Sequence, residues 1–213
     1  MATKTSKEIH ILVESAILLA IATVLSFFPK FEGIWVNGGS ITLCSMLPII
    51  FISYRNGLKW GLLSGFAFSL LQLLTGGFYP AGTSILMVFA TLLFDYMLPY
   101  TCIGLGGMFK GKTKNVTMDL VSGVVVALGL RYVCHLVSGF VLWNDVTYAT
   151  EMLQTPGFAF GLGATVAENF TGNGLFAIYN VLYNGSYMIP EIIITCIGAV
   201  LLARFANFSI EKK

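Results

Sequence analysis

The sequence predicts an all-α integral membrane protein, a bundle of six transmembrane helices with both termini in the cytoplasm. Composition is the first reason: 56% of the 213 residues are hydrophobic, only 10% are charged, and the mean hydropathy is +0.83. A soluble domain carries about 25% charged residues. The second reason is the division of the apolar residues into long runs, and the third is the one-sided distribution of the basic residues.

The apolar runs form one membrane domain over residues 1–213. Each run approaches the roughly 20 residues that cross a hydrocarbon core about 30 Å thick, although the second is short. The runs lack the alternation of barrel strands, so helices are expected. The predicted spans are residues 9–29, 40–54, 57–75, 83–108, 116–143 and 187–205.

The basic residues predict the orientation. Ten of the 12 basic residues fall in connections on one side of the membrane. Lys30 falls on the other side, and Arg131 lies within a span. Because basic residues accumulate in cytoplasmic connections, the crowded side is the cytoplasm and the protein is a multi-pass protein of the cell membrane. The residues on that side are Lys4, Lys7, Arg55, Lys59, Lys110, Lys112, Lys114, Arg204, Lys212 and Lys213.

Polar groups recur along the fifth predicted span. Arg131, His135, Gly139 and Trp143 are spaced by four residues, which places them on one slowly drifting stripe of a helix. Ionisable side chains inside a membrane are costly and usually face a cavity or a partner. Two interpretations stay open: a ligand cavity, or an Arg131 that snorkels or pairs with an acid beside a satisfied interior His135.

Asp95 lies inside the fourth predicted span and needs a partner there. The structural candidates are Arg131 and His135, and the functional candidate is a cationic ligand. Glu14 and Glu191 lie nearer span ends and are expected at the membrane interface.

The outer connections, 31–39, 76–82 and 144–186, are rich in Gly, Asn and aromatic residues. Trp and Tyr are common as interface anchors. Their clustering on the side of His135 and Trp143 nevertheless favours a ligand pocket that opens to the outside. The polar and aromatic residues concerned include Trp35, Phe78, Tyr79, Tyr148, Tyr179, Asn180, Tyr183 and Asn184.

Residues 106–113 match the nucleotide-binding pattern G-x-x-x-x-G-K-T. That motif requires a preceding buried strand in an α/β domain, and here an apolar helix is expected, so no nucleotide site is predicted. An intramembrane enzyme is disfavoured because His135 and the distant His10 are too few for a catalytic set. No cofactor, metal or nucleic acid is expected, and active transport would need an external source of energy.

Several stretches together resemble the thiamine-specific ThiT (YuaJ) family of S components, the substrate-binding subunits of energy-coupling factor (ECF) vitamin transporters. The resemblance covers about residues 14–203 and is carried by the combination of motifs. The stretches are 15–20, 39–43, 46–50, 54–59, Asp95-Tyr96, 131–135 with Trp143, and 179–187.

The resemblance implies a prokaryotic six-helix protein that binds thiamine from outside. It assigns partner docking to Ala16 and Ala20, which would face a membrane coupling subunit carried by two ATPase subunits that consume the ATP. Two departures are Phe68 in place of a tryptophan and a longer link over 144–176. The implied substrate-binding residues are Trp35, Asp95, Tyr96, His135, Trp143, Tyr179 and Asn184.

Thiamine suits these residue types, since its thiazolium is a permanent cation. Trp143, Tyr96 and Trp35 offer π faces, Asp95 offers a neutralising charge, and the Asn184 amide offers a donor and an acceptor to the aminopyrimidine. The alternative within the same class is an S component for another vitamin or a cationic metabolite.

Overall fold

A computed structural model describes residues 4–32, 35 and 38–205 and is almost entirely helical there, which confirms the all-α membrane class. Lys212 and Lys213 lie outside the described residues. The helices are α1 (Lys4–Phe27), α2 (Leu47–Asn56), α3 (Leu58–Gly76), α4 (Ile85–Thr91), α5 (Leu98–Ile103), α6 (Val116–Leu142), α7 (Val146–Gln154), α8 (Leu162–Asn169) and α9 (Gly172–Phe205). A π-helical turn at Leu92–Met97 joins α4 to α5, 3-10 turns occupy Gly104–Gly107 and Phe158–Gly161, and a short hairpin pairs β1 (Lys30–Phe31) with β2 (Ile41–Thr42).

Five helical runs in the described part of the chain are long and apolar enough to cross a membrane. The predicted second span is the exception, because α2 has 10 residues and is only about 15 Å long. Its first part, from residue 40 to residue 46, forms β2 and turns rather than helix. Polar Thr42 and Ser45 bond to each other there, and Pro48 stands at the helix start, so the helix begins late. The expectation of six full-length spans is therefore not met by α2.

The α2 helix still returns the chain toward the start of α1. At its end, Arg55 lies 3.1 Å from the Glu14 carboxylate and Asn56 donates to the same group over 3.3 Å. Lys110, which follows the 3-10 turn, donates to the Arg55 carbonyl over 3.1 Å. These contacts bring two of the basic connections to one end of the bundle, as the predicted orientation requires, with Glu14 beside them.

Glycines bring the helices close together near this same end. A Cβ at Gly104 would overlap the Gly61 backbone, and one at Gly123 would overlap the Gly106 carbonyl. Ser53 of α2 donates to the Gly104 carbonyl and accepts from the Gly107 amide. The glycines of the 104–107 turn thus serve helix packing.

The π-helical turn has an identifiable cause. Pro99 has no N–H, so the Asp95 carbonyl lacks its usual donor four residues later. The Leu98 amide instead reaches the Leu93 carbonyl five residues back, which is the π pattern. The widened turn contains Asp95 and Tyr96.

The α9 helix begins at Gly172, well before the expected residue 187, and its 34 residues extend over about 50 Å. The helix continues because Leu175, Tyr179, Tyr183 and Tyr187 repeat every four residues and, like Phe176, are all buried. Hydropathy failed to locate this start, because Gly and Asn lower the average over an amphipathic half. Since a hydrocarbon core spans about 30 Å, α9 is longer than a single crossing needs.

The segment between α6 and α9 folds into a cap, defined here as residues 144–171. It consists of α7, a 3-10 turn and α8. Ala149 and Leu153 of α7 are fully buried, and a Cβ on Gly163 of α8 would overlap the Leu153 carbonyl. The cap is therefore tightly packed within itself, and Phe158 of its 3-10 turn stacks on Tyr179 of α9.

Candidate functional site

A cavity of about 200 Å³ lies among the π turn, α6, α9 and the cap. Six of the seven predicted substrate-binding residues line it: Asp95, Tyr96, His135, Trp143, Tyr179 and Asn184. Other lining residues include Tyr79, Tyr100, Arg131, Gly139, Tyr148, Phe176, Asn180, Tyr183 and Tyr187. A concave site with aromatic walls and a few converging polar groups is typical of a small-molecule pocket.

Asp95 lies between two side chains of the α6 stripe. One carboxylate oxygen accepts a hydrogen bond from the Trp143 indole N–H at 3.0 Å. The other lies 3.7 Å from Nδ1 of His135, which is beyond hydrogen-bond distance. The side chains of Asp95, His135 and Trp143 each keep some accessible surface, and all three line the cavity. The Asp95 carboxylate therefore faces the cavity. The sequence left the partner of Asp95 open, and among the described residues it is His135 with Trp143.

Arg131 has a different set of neighbours. Its Nε donates to His135 Nε2 over 3.4 Å, its Nη1 approaches the Met46 sulfur at 2.7 Å, and its guanidinium lies 4.7 Å from the centre of the Tyr100 ring. No ion pair joins it to Asp95 within 4 Å in the described part of the protein. With Nε2 accepting from Arg131, a neutral His135 would carry its proton on Nδ1, the nitrogen that faces Asp95.

Asn184 has fewer groups available than the sequence suggests. Its amide N–H groups bond to the Asn180 carbonyl at 3.0 Å and the Asn180 side-chain oxygen at 2.8 Å. Its own oxygen accepts from the Tyr187 hydroxyl at 2.6 Å. An amide oxygen has two lone pairs, so Asn184 can still accept one hydrogen bond from a ligand but has no donor left.

Tyr179 of α9 and Tyr96 of the π turn both contribute to the aromatic wall of the cavity. The Tyr179 ring packs against Tyr183 at 5.5 Å and stacks on Phe158 of the cap at 5.9 Å between centroids. Tyr96 donates to the Gly77 carbonyl over 3.3 Å. Gly139 provides the gap expected in the stripe, because a Cβ there would overlap the Asn180 side chain.

Trp35 does not line this cavity. It lines an adjoining cavity of about 500 Å³, which Tyr96, Tyr100 and Arg131 also border. The Trp35 indole donates to Ser186 over 2.7 Å and its ring meets Tyr187 edge-on at 5.7 Å. Trp35 therefore adjoins the wall of the first cavity from behind Tyr187.

Glu191, which was expected at the membrane interface, is buried inside the protein against the hairpin. It is 1% exposed within α9, and its two carboxylate oxygens accept from the Thr42 amide and the Thr42 hydroxyl, each at 2.6 Å. These bonds to β2 compensate the burial of the charge. Sequence reasoning missed this contact, and it missed Tyr100, because both depend on pairing between segments far apart in the chain.

Ala16 and Ala20 lie on the exposed surface of α1, away from both cavities. Large apolar side chains beside them, including Leu12, Val13 and Ile17, are also more than half exposed. In a membrane protein such a face meets lipid or another helix. Among the described residues, no group of three or more His, Cys, Asp or Glu is arranged to hold a metal ion.

Fold and cavity together define a multi-pass helical membrane protein with a polar, aromatic pocket for a small molecule. Residues 12–162 match the family described as "Thiamine transporter protein (Thia_YuaJ)". The match spans well over half of the chain, and the chain belongs to that family.

Individual relatives of the chain are consistent with the family match. The chain is 30% identical over 206 residues to the thiamine transporter ThiT of Bacillus subtilis strain 168, covering 92% of both chains. It is 26% identical over 148 residues to that of Lacticaseibacillus paracasei, covering 65% of this chain and 70% of the relative. A solved structure of ThiT from Listeria monocytogenes shares the fold, with a TM-score of 0.67, 24% identity, and coverage of 93% of this chain and 95% of the other. The protein is thus a prokaryotic multi-pass membrane protein whose relatives are named transporters.

Proposed function

We propose that this protein binds thiamine from the outer side of the membrane, as the S component of an ATP-driven energy-coupling factor importer. The observation that carries the proposal is the position of Asp95, a carboxylate at the cavity wall beside His135 and the Trp143 indole. A carboxylate within aromatic walls suits an organic cation with a flat ring.

Each part of thiamine has a counterpart in the cavity. The thiazolium cation would lie near Asp95, with Trp143 and Tyr96 offering their π faces and His135 stacking on or hydrogen-bonding a ring. The amino group of the pyrimidine would donate to the free lone pair of Asn184. Tyr179 would close the wall on the α9 side. Trp35 would act through Tyr187 or from the adjoining cavity.

The charge of the cap also favours a cation. Residues 132–203 contain no Lys or Arg, and Asp145, Glu151 and Glu168 of the cap are all exposed. Surface charge of one sign near a site raises the local concentration of oppositely charged ligands. This distribution supports a cationic vitamin over an anionic one, and it leaves another cationic metabolite as the alternative substrate.

Energy for transport would come from partner subunits. The expected partners are a membrane coupling subunit and two ATPase subunits, and ATP would be consumed there and not by this chain. Ala16 and Ala20 would form the docking surface, because small side chains four residues apart allow another helix to approach closely. No cofactor of its own is proposed.

Intrinsic tryptophan fluorescence tests the binding proposal. The chain has 3 tryptophans, of which Trp143 and Trp35 line the two cavities and Trp60 lines neither. Thiamine added to the purified protein should quench the fluorescence saturably, Trp143→Phe should lose most of that change, and Trp60→Phe should keep it. A response to another vitamin without one to thiamine would favour the alternative substrate.

A further inference from the structure

Tyr148 of the cap has a polar group that no protein contact explains. Tyr148 lines the 200 Å³ cavity, and its hydroxyl oxygen is buried without a hydrogen-bond partner among the described residues. An unpaired buried hydroxyl costs about 1 to 3 kcal/mol, so most such groups find a partner. The cavity is the place where that partner would be.

The position of Tyr148 is fixed by its surroundings. Asp145 caps α7 by accepting from the Tyr148 amide at 3.0 Å, and the neighbouring Ala149 is fully buried. The Tyr148 ring meets Tyr179 edge-on at 6.4 Å. A capped helix with a packed face therefore fixes the Tyr148 side chain beside the cavity. Burial also raises the pKa of the Tyr148 phenol, so the group remains a protonated donor.

The order of residues along α6 indicates which end of a ligand Tyr148 meets. Trp143 ends α6 and holds Asp95, while His135 and Arg131 lie two and three turns further in. The cap begins directly after Trp143, so Tyr148 belongs to the same outer end. In thiamine the hydroxyethyl group is attached to the thiazolium ring, so a thiazolium beside Asp95 would keep that alcohol in the part of the cavity near Trp143, where the cap begins.

We propose that the Tyr148 hydroxyl hydrogen-bonds the alcohol of the bound ligand, which makes the cap a determinant of specificity for a hydroxyethyl-bearing cation. This inference rests on the proposed function, because it presumes the orientation set by Asp95. It adds a ligand contact from a segment outside the motifs of the family resemblance. The cap thus belongs to the binding site.

Equilibrium binding of two ligands to two variants tests the contact. The ligands are thiamine and its analogue with an ethyl group in place of hydroxyethyl, and the variants are wild type and Tyr148→Phe. Wild type should prefer thiamine, and Tyr148→Phe should lower affinity for thiamine about 2- to 12-fold while leaving the analogue unchanged, as expected for one lost neutral hydrogen bond. The change conserves volume, so folding should be retained.

Tyr132→Phe is the matched control. The Tyr132 hydroxyl donates to the Val181 carbonyl at 2.9 Å and Tyr132 does not line the cavity, so this variant should keep the wild-type preference. Equal loss of both ligands in Tyr148→Phe, or no loss of either, would overturn the inference. Failure of wild type to bind either ligand would instead refute the proposed function. These results distinguish failure of the Tyr148 contact from failure of the proposed function.

Discussion

At the residue scale, Asp95 combines a structural and a proposed binding role. It accepts from the Trp143 indole, lies beside His135 and faces the cavity. Asp95→Asn keeps the shape and an acceptor for Trp143 but removes the charge. Two unit charges about 4 Å apart interact by roughly 4 kcal/mol at an effective dielectric of 20, part of which offsets desolvation. We therefore expect at least about tenfold weaker binding of thiamine.

The measurement that isolates the charge is a comparison of ligands. Affinity of Asp95→Asn for a neutral analogue, with a carbon ring replacing the thiazolium, should fall much less than affinity for thiamine. Melting temperature in detergent should stay near wild type, because Asp95 does not pair with Arg131. A variant that melts far lower and binds both ligands equally poorly would make Asp95 a structural residue only.

His135 and Trp143 should contribute separately to ligand affinity. Each lines the cavity on α6 or at its end, and loss of a stacking partner costs about 1 to 3 kcal/mol by analogy with base stacking on aromatic residues. His135→Ala and Trp143→Ala should each weaken thiamine binding, as titration calorimetry would show. Trp60→Ala, a change outside both cavities, is the control. Wild-type affinity in both cavity variants would refute the pocket assignment.

At the element scale, Glu191 joins α9 to the β hairpin. Its carboxylate accepts both Thr42 donors, and the group is almost completely buried. Glu191→Ala would leave the Thr42 amide unpaired, at a cost of about 1 to 3 kcal/mol. In a chain of this size, each kcal/mol of lost stability lowers the melting temperature by about 2 to 4 °C. The melting temperature of Glu191→Ala should therefore fall by several degrees.

A double-mutant cycle checks the Glu191 contact. Thr42→Val removes the hydroxyl partner, so the double variant should be destabilised by less than the sum of the single changes, by at least about 0.5 kcal/mol. Strict additivity would show that the two side chains do not act together. Thr75→Val is a matched control, since the exposed Thr75 hydroxyl donates to the Leu71 carbonyl of its own helix.

The helices differ in how well hydropathy predicts them. The α3 and α6 helices correspond closely to apolar runs, because each is apolar over most of its length. The early start of α9 is set instead by packing of its tyrosines against α6 and the cap. The late start of α2 follows from Thr42, whose donors are satisfied by Glu191 from a distant part of the chain. Sequence-local patterns contain neither contact.

The candidate site also has one part that local sequence patterns predict and one part that depends on tertiary contacts. The four-residue spacing of Arg131, His135, Gly139 and Trp143 is local, so the stripe could be predicted, and these residues do line one cavity. The choice of His135 and Trp143 as neighbours of Asp95 depends on how the π turn faces α6. That arrangement is tertiary, and the residues alone left it open.

At the scale of the whole molecule, binding and docking lie on different surfaces. The cavity lies toward the outer end of α6 and α9, whereas Ala16 and Ala20 lie on the exposed face of α1 and line neither cavity. If that face docks on a coupling subunit, a bulky residue there should block close helix approach. Ala16→Trp and Ala20→Trp should therefore abolish thiamine uptake in cells and leave thiamine affinity of the purified protein unchanged.

Val125→Trp on α6 controls for a large side chain at another membrane-facing position, since Val125 is 48% exposed there. It should preserve both uptake and binding. Uptake is measured with labelled thiamine in cells that lack other routes of entry, and expression of each variant is matched by immunoblot. Loss of binding in purified Ala16→Trp would mean that α1 supports the cavity. Normal uptake by both alanine variants would place the docking surface elsewhere on the protein.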